Sequence, residues 1–156
     1  MKERRVRPNL SKAVNVEVEL AKSMVKVILK KAFDKGTITL TRYNNALKAD
    51  YGEECLISGY AATNKAGYTQ VRLTGCSQKL KVYCHMIVKQ AEGILIGLGD
   101  TESHLCNNSS CFNPSHIVIE NIEVSQSRKC CKLFGHMQMY YCPQSPSCMG
   151  CNSISQ

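Results

Sequence analysis

The chain has 156 residues and a mass of 17.4 kDa, the size of one core, which argues against two full domains. Apolar residues make up 44% of it but aromatics only 6%, with no Trp, so the core lacks the large rings that bury most area and something else must help to hold it. The formal net charge is +8; no window approaches the roughly 18 apolar residues of a membrane helix, and the start, Met1 to Pro8, has no apolar run of the secretory kind.

The basicity sits at the front: residues 1–50 hold twelve Lys or Arg against five Asp or Glu, and the remainder eight against seven. A basic segment on a folded body commonly serves a polyanion, and no aromatic or acylation signal points to a membrane. After Pro8, Asn9 or Ser11 can cap a helix in which Val14, Val18, Ala21, Val25, Ile28 and Ala32 recur at alternating four and three spacings, with Gly36 as its stop. Lys22, Lys26 and Lys30 lie on another stripe, where either phosphates or plain water would meet them. Residues 37–43 alternate and predict a strand, Asn44, Asn45 and residues 50–52 mark breaks, and a boundary falls near 50. The expected organisation is a basic amphipathic helical segment over 1–50 and a metal-bound domain over 51–156.

Residues 68–74 alternate, Gly75 permits a turn, and residues 79–83 return with Leu80 and Val82 on one face, which predicts a β-hairpin. Thr69, Arg72, Lys79 and Lys81, read as exposed, would suit a ribbon lying in the major groove of DNA, though ordinary surface polarity explains them as well. Residues 86–91 read as a turn or two of helix ended by Gly93; residues 93–99 are apolar but short and glycine-broken. Residues 107–113 and 143–147 read as loops.

Ten cysteines between Cys55 and Cys151 call for disulfides or metal ligands. With no secretory signal a reducing compartment is expected, and there Cys near His points to zinc. Cys106, Cys111 and His116 are each separated by four residues, which lets a loop wrap one tetrahedral ion, with Cys55 as the fourth ligand. A site closed by four protein ligands is structural, and worth roughly 10–16 kcal/mol of metal-coupled folding by analogy with zinc fingers. That would offset the aromatic-poor core.

The run Ser103-His104-Leu105-Cys106, then Cys111-Phe112-Asn113-Pro114-Ser115-His116, then Glu120, Arg128 and Cys131, then residues 142–148 from Cys142 to Cys148 resembles the His-Cys box homing endonucleases of the ββα-metal (His-Me finger) superfamily. The resemblance covers residues 103–148 in detail and residues 55–85 more weakly. It implies an α+β fold: a small zinc-stabilised ββα-metal unit with β-hairpins, few helices and two structural zinc sites. It also implies double-stranded DNA as substrate and a single catalytic Mg²⁺. His104 matches the histidine that activates water at a strand end, work that suits a neutral imidazole. Read without the family, it would more often be another ligand or a satisfied polar residue. An arginine near the scissile phosphate is matched by Arg72 in one register and replaced by Gln70 in another. Family members act as symmetric dimers, so a homodimer is expected, and the basic front with this substrate implies nuclear residence.

Two positions depart from the family pattern. Where it has a magnesium-binding Asn three residues before the matched arginine, this chain has Ser125, a shorter neutral hydroxyl that should hold the ion less well; Asn121 lies one helical turn earlier. Where the second zinc site has a histidine between the cysteines matched by Cys131, Cys142 and Cys148, this chain has Gln144, a poor zinc ligand. Cys151, in the knuckle Cys148-Met149-Gly150-Cys151, or else His136, would complete that site; Cys76, Cys84 and Cys130 are left as free thiols and His85 as a structural histidine. These departures keep open a rival reading, a zinc-containing DNA-binding module that no longer cuts. A secreted disulfide scaffold is a third.

Overall fold

A computed structural model describes residues 15–73, 81–134 and 141–151. The expected helix caps at Asn9 and Ser11, the hairpin turn at Gly75, Lys79, Cys76 and His136 lie outside them. The first helix, α1 (Val18–Asp34), begins later than the periodicity suggested, because residues 15–17 are drawn out of helix. There the Val16 amide donates to the Gln90 side chain at 2.7 Å, the Asn15 side chain pairs with the backbone of Ile96, and Glu17 caps the helix through Glu19 N and Leu20 N. A carboxylate at that end also suits the helix dipole. Ala21, Met24, Val25, Ile28, Leu29 and Ala32 form the buried stripe. The helix stops at Gly36, whose φ of 69° is available to glycine at little cost.

The strand expected over residues 37–43 is instead the start of helix α2 (Leu40–Leu47). Thr39 caps it, its hydroxyl accepting from Arg42 N, and Tyr43 turns inward to stack on Phe33 with ring centroids 5.2 Å apart. The capping hydroxyl and the aromatic pair outweigh the β-preference of the local alternation.

Strands β1 (Gln70–Arg72) and β2 (Lys81–Tyr83) pair antiparallel, setting Arg72 opposite Lys81, and helix α3 (Cys84–Ala91) follows directly. Strand β3 (Asp100–His104) pairs antiparallel with β4 (Ile117–Asn121), which runs straight into helix α4 (Ile122–Phe134). This ββα unit matches the expected fold. Helices α1 and α3 pack together, and Ile28, Leu29, Leu56, Ile87, Val88 and Phe112 are the largest fully buried apolar side chains of the shared core. Residues from both sides of position 50 fill it. A Cβ at Gly59 would sit 2.4 Å from the Lys31 carbonyl, so only glycine lets that segment lie against α1. Among the described residues no helix is long and apolar enough to cross a membrane.

Candidate functional site

The ligand atoms of Cys55, Cys106, Cys111 and His116 lie within 4.8 Å of one another. Local hydrogen bonding explains why. Asn113 is fully buried; its side-chain oxygen accepts from Ser115 N and starts the 3-10 turn Pro114–His116, while its amide donates to the carbonyls of Gly52 and Glu54 at 3.0 and 2.8 Å. Arg42 donates to the Cys55 and Glu54 carbonyls, Phe112 N to Leu56 O, and Ile57 bridges Cys111. These bonds carry Cys55 across to the loop that holds the other three.

The His116 Nε2–H donates to the Glu53 carbonyl at 2.8 Å, which leaves Nδ1 facing Cys55 Sγ at 3.5 Å and Cys111 Sγ at 3.6 Å. A tetrahedral zinc with usual bond lengths needs S···N edges of about 3.6 Å. The donor set and its spacing fit zinc, and the carbonyl that fixes the histidine tautomer is the usual support for such a ligand. Without a cation the thiols cannot all ionise. A hydrogen bond from Cys111 holds the Cys106 thiol well below its ordinary value, that same bond with burial pushes Cys111 up, and burial raises Cys55.

A second cluster joins Cys131 of α4 to Cys142 and Cys148, all buried. The sulfurs of Cys131 and Cys142 are 3.4 Å apart, and Cys148 N donates to Cys142 Sγ at 3.2 Å. Cys151 packs half-exposed against the trio. The Gln144 side chain donates to Ser127 Oγ instead of supplying a ligand. Arg128 anchors the cluster: it forks onto both Glu120 oxygens at 2.7 Å and also donates to Pro146 O and Cys148 Sγ. Burial works to raise the Glu120 carboxyl, but the bonds from Arg128 prevail and hold it below its ordinary value. This cluster also fits zinc.

Between the clusters lies a cavity of about 370 Å³, lined by Tyr68, Glu102, His104, Asn107 and one face of α4. That face presents Ser125, Arg128, Lys129 and Lys132, the three- and four-residue spacing of a helix stripe. His104, at the end of β3, donates its Nε2–H to the Cys111 carbonyl at 2.9 Å, so in the neutral ring Nδ1 carries the lone pair. Burial lowers its pKa, against an opposing pull from that carbonyl, which favours the neutral ring. His85, read from the sequence as structural, is buried 4.7 Å from His104 ring to ring, and its Nε2 is 3.8 Å from Glu102 Oε2. The other Glu102 oxygen is buried with no hydrogen-bond partner. Oxygen donors at this cavity, the Glu102 carboxylate and the Ser125 hydroxyl among them, fit a hard cation such as Mg²⁺.

Other expected site residues are not brought here. Thr69 is 2% exposed and faces the interior, a correction to its reading as a surface contact: Val71 and Leu73 share its side of the strand. Gln70 is half-buried, while Arg72 and Lys81 are exposed on the hairpin. Arg72 does not line the His104 cavity; it lies roughly 13 Å along the chain from Tyr68, which does. Lys22, Lys26 and Lys30 are exposed on α1, with Lys22 paired to Glu19 and Lys30 to Asp34. The Asn121 side chain caps α4 at Glu123 N. Sequence reasoning passed over Tyr68, Glu102, Lys129 and Lys132; for the two lysines the signal was their i+4 and i+7 spacing from Ser125.

The sequence comparisons agree with this geometry. The family model for the zinc-binding loop region of homing endonuclease matches residues 54–154. Protein 2.8 of Escherichia phage T7 is 42% identical over 59 residues, a match that spans 37% of this chain and 37% of that protein. No solved structure matches. With two clusters that fit zinc flanking a ββα unit, and a family match over most of its length, the chain belongs to the zinc-binding homing endonuclease family.

Proposed function

We propose that the chain is a zinc-stabilised, Mg²⁺-dependent, site-specific endonuclease of double-stranded DNA. The observation that carries this is the Nε2 bond of His104 to the Cys111 carbonyl, which leaves Nδ1 of a neutral ring as a proton acceptor at the cavity. A water there would lose its proton to Nδ1 while its oxygen attacks phosphorus in line and the 3′ oxygen departs. One Mg²⁺, held by Ser125 and its neighbours, would supply neutralisation of the charge on the phosphate and on the departing oxygen. Lys129 and Lys132 would meet backbone phosphates at the cavity mouth. In the zinc sites Cys55, Cys106, Cys111 and His116 would hold one ion, and Cys131, Cys142, Cys148 and Cys151 the other.

Arg72 opposite Lys81 supports DNA docking on the hairpin, since like charges directly across a ladder repel and a phosphate between them would relieve the repulsion. The α1 lysines and Gln70 would extend that contact, and a symmetric homodimer would suit a double-strand cut. Incubation with supercoiled plasmid and Mg²⁺ tests the reading: nicking by the wild type that vanishes in His104→Ala is expected. Ser125 and the engaged Gln144 favour one alternative, a DNA-binding module without cleavage, for which retained DNA binding with no nicking would decide.

A further inference from the structure

We propose that the Glu102 carboxylate is the principal ligand for the divalent cation in the His104 cavity, with the Ser125 hydroxyl a minor one. The proposal rests on the nuclease reading only in taking this cavity as the reacting site. Glu102 stands two residues before His104 on β3, so the strand's alternation puts both on one side, and both line the cavity with Ser125. Its side chain is 10% exposed, and one oxygen is buried without any hydrogen-bond partner. A carboxylate so placed costs free energy unless something compensates it.

The protein around it offers little compensation. Tyr68, Tyr83, His85 and Met86 face the same region as Glu102, together with Asp100 and His104. Of these, His85 is the near partner, at 3.8 Å; burial, with His104 beside it, holds its pKa well below the ordinary value, so it brings no charge. Glu120, on the paired strand β4, is by contrast held in a close ion pair by Arg128. Among the described residues Glu102 is the one carboxylate lining a cavity whose other charged walls are Arg128, Lys129 and Lys132, the rest of its lining being neutral. With Arg128 already paired to Glu120, a divalent cation entering past Lys129 and Lys132 needs an anion to hold it, and the neutral hydroxyl of Ser125 does not supply one. An orphaned hard oxygen does.

The test is a Mn²⁺ titration of the zinc-loaded full chain, followed by the paramagnetic resonance signal of free Mn²⁺, with Mg²⁺ as competitor. Mn²⁺ prefers oxygen ligands, so it reports on this cavity and leaves the thiol clusters alone. The expected result is wild-type binding that falls by about tenfold or more in Glu102→Gln and only slightly in Ser125→Ala, with zinc content unchanged in both. Should Glu102→Gln fold poorly, Glu102→Asp keeps the charge on a shorter arm and is expected to retain part of the affinity. Wild-type affinity in Glu102→Gln with a lowered melting temperature would mean the carboxylate only props His85, and would overturn the proposal. So would a wild type that fails to bind Mn²⁺. Plasmid nicking by the wild type beside unchanged Mn²⁺ affinity in Glu102→Gln defeats the ligand assignment alone; Glu102-dependent Mn²⁺ binding in a protein that cuts nothing defeats the nuclease reading alone.

Discussion

The two cysteine clusters use similar donors but are built into the molecule differently. Cys55, Cys106, Cys111 and His116 come from two distant stretches, stitched together by Arg42 and Asn113, and Phe112 next to Cys111 lies fully buried in the main core. Cys131, Cys142 and Cys148 form a separate small cluster beyond that core, joined to it by the Arg128–Glu120 pair and by Met149 N donating to Leu105 O. The first cluster closes the long loop from 55 to 106 and shares the fate of the whole fold. The second fixes the far end of α4, the wall of the cavity that carries Ser125, Lys129 and Lys132. One is a keystone for stability, the other a brace for geometry.

The largest effect should come from breaking the first cluster. Cys111→Ser, or strong chelation, should remove a contribution of roughly 10 kcal/mol or more, comparable with the whole stability of a small domain, so that cooperative melting disappears in circular dichroism. A folded Cys111→Ser protein would show that the core stands without its ion. Phe112→Ala opens the core beside that cluster and should cost about 3–5 kcal/mol, read as a fall in melting temperature with both zinc ions retained.

Glu120→Ala leaves the Arg128 guanidinium buried without its carboxylate, 4% and 9% of the two side chains being exposed. The expected loss is about 3 kcal/mol, and release of one zinc to a weak chelator should precede loss of the main core. If both ions left together, the two regions would not be separate. Cys151→Ser is the gentlest change: the second ion should bind more weakly while thermal stability shifts by about 1 kcal/mol or less.

Legibility in the sequence follows the same division. In the first cluster Cys106, Cys111 and His116 could be read from their short spacing, whereas Cys55 lies far away in sequence and was a choice that spacing does not dictate; the structure gathers all four. The end of α1 at Gly36 and the antiparallel pairing of β1 with β2 were legible from glycine chemistry and alternation. Residues 37–43 were not, because Ile38, Thr39 and Thr41 favour strand locally, while the cap at Thr39 and the stacking of Tyr43 on Phe33 depend on what lies nearby in space. Thr69 was misassigned although it and Arg72 have opposite parity and cannot share one face of a strand. Glu102 acquires meaning only once β3 and α4 enclose a common space, whereas Lys129 and Lys132 already carried a signal in their spacing from Ser125.

The strut that steers His104 is the backbone carbonyl of Cys111, a member of the first cluster. If Cys55, Cys106, Cys111 and His116 hold an ion, that ion would stiffen the loop bearing the carbonyl and, through it, the setting of the imidazole. The orientation of the ring would then be coupled to metal loading, although the ring itself binds no ion of that cluster.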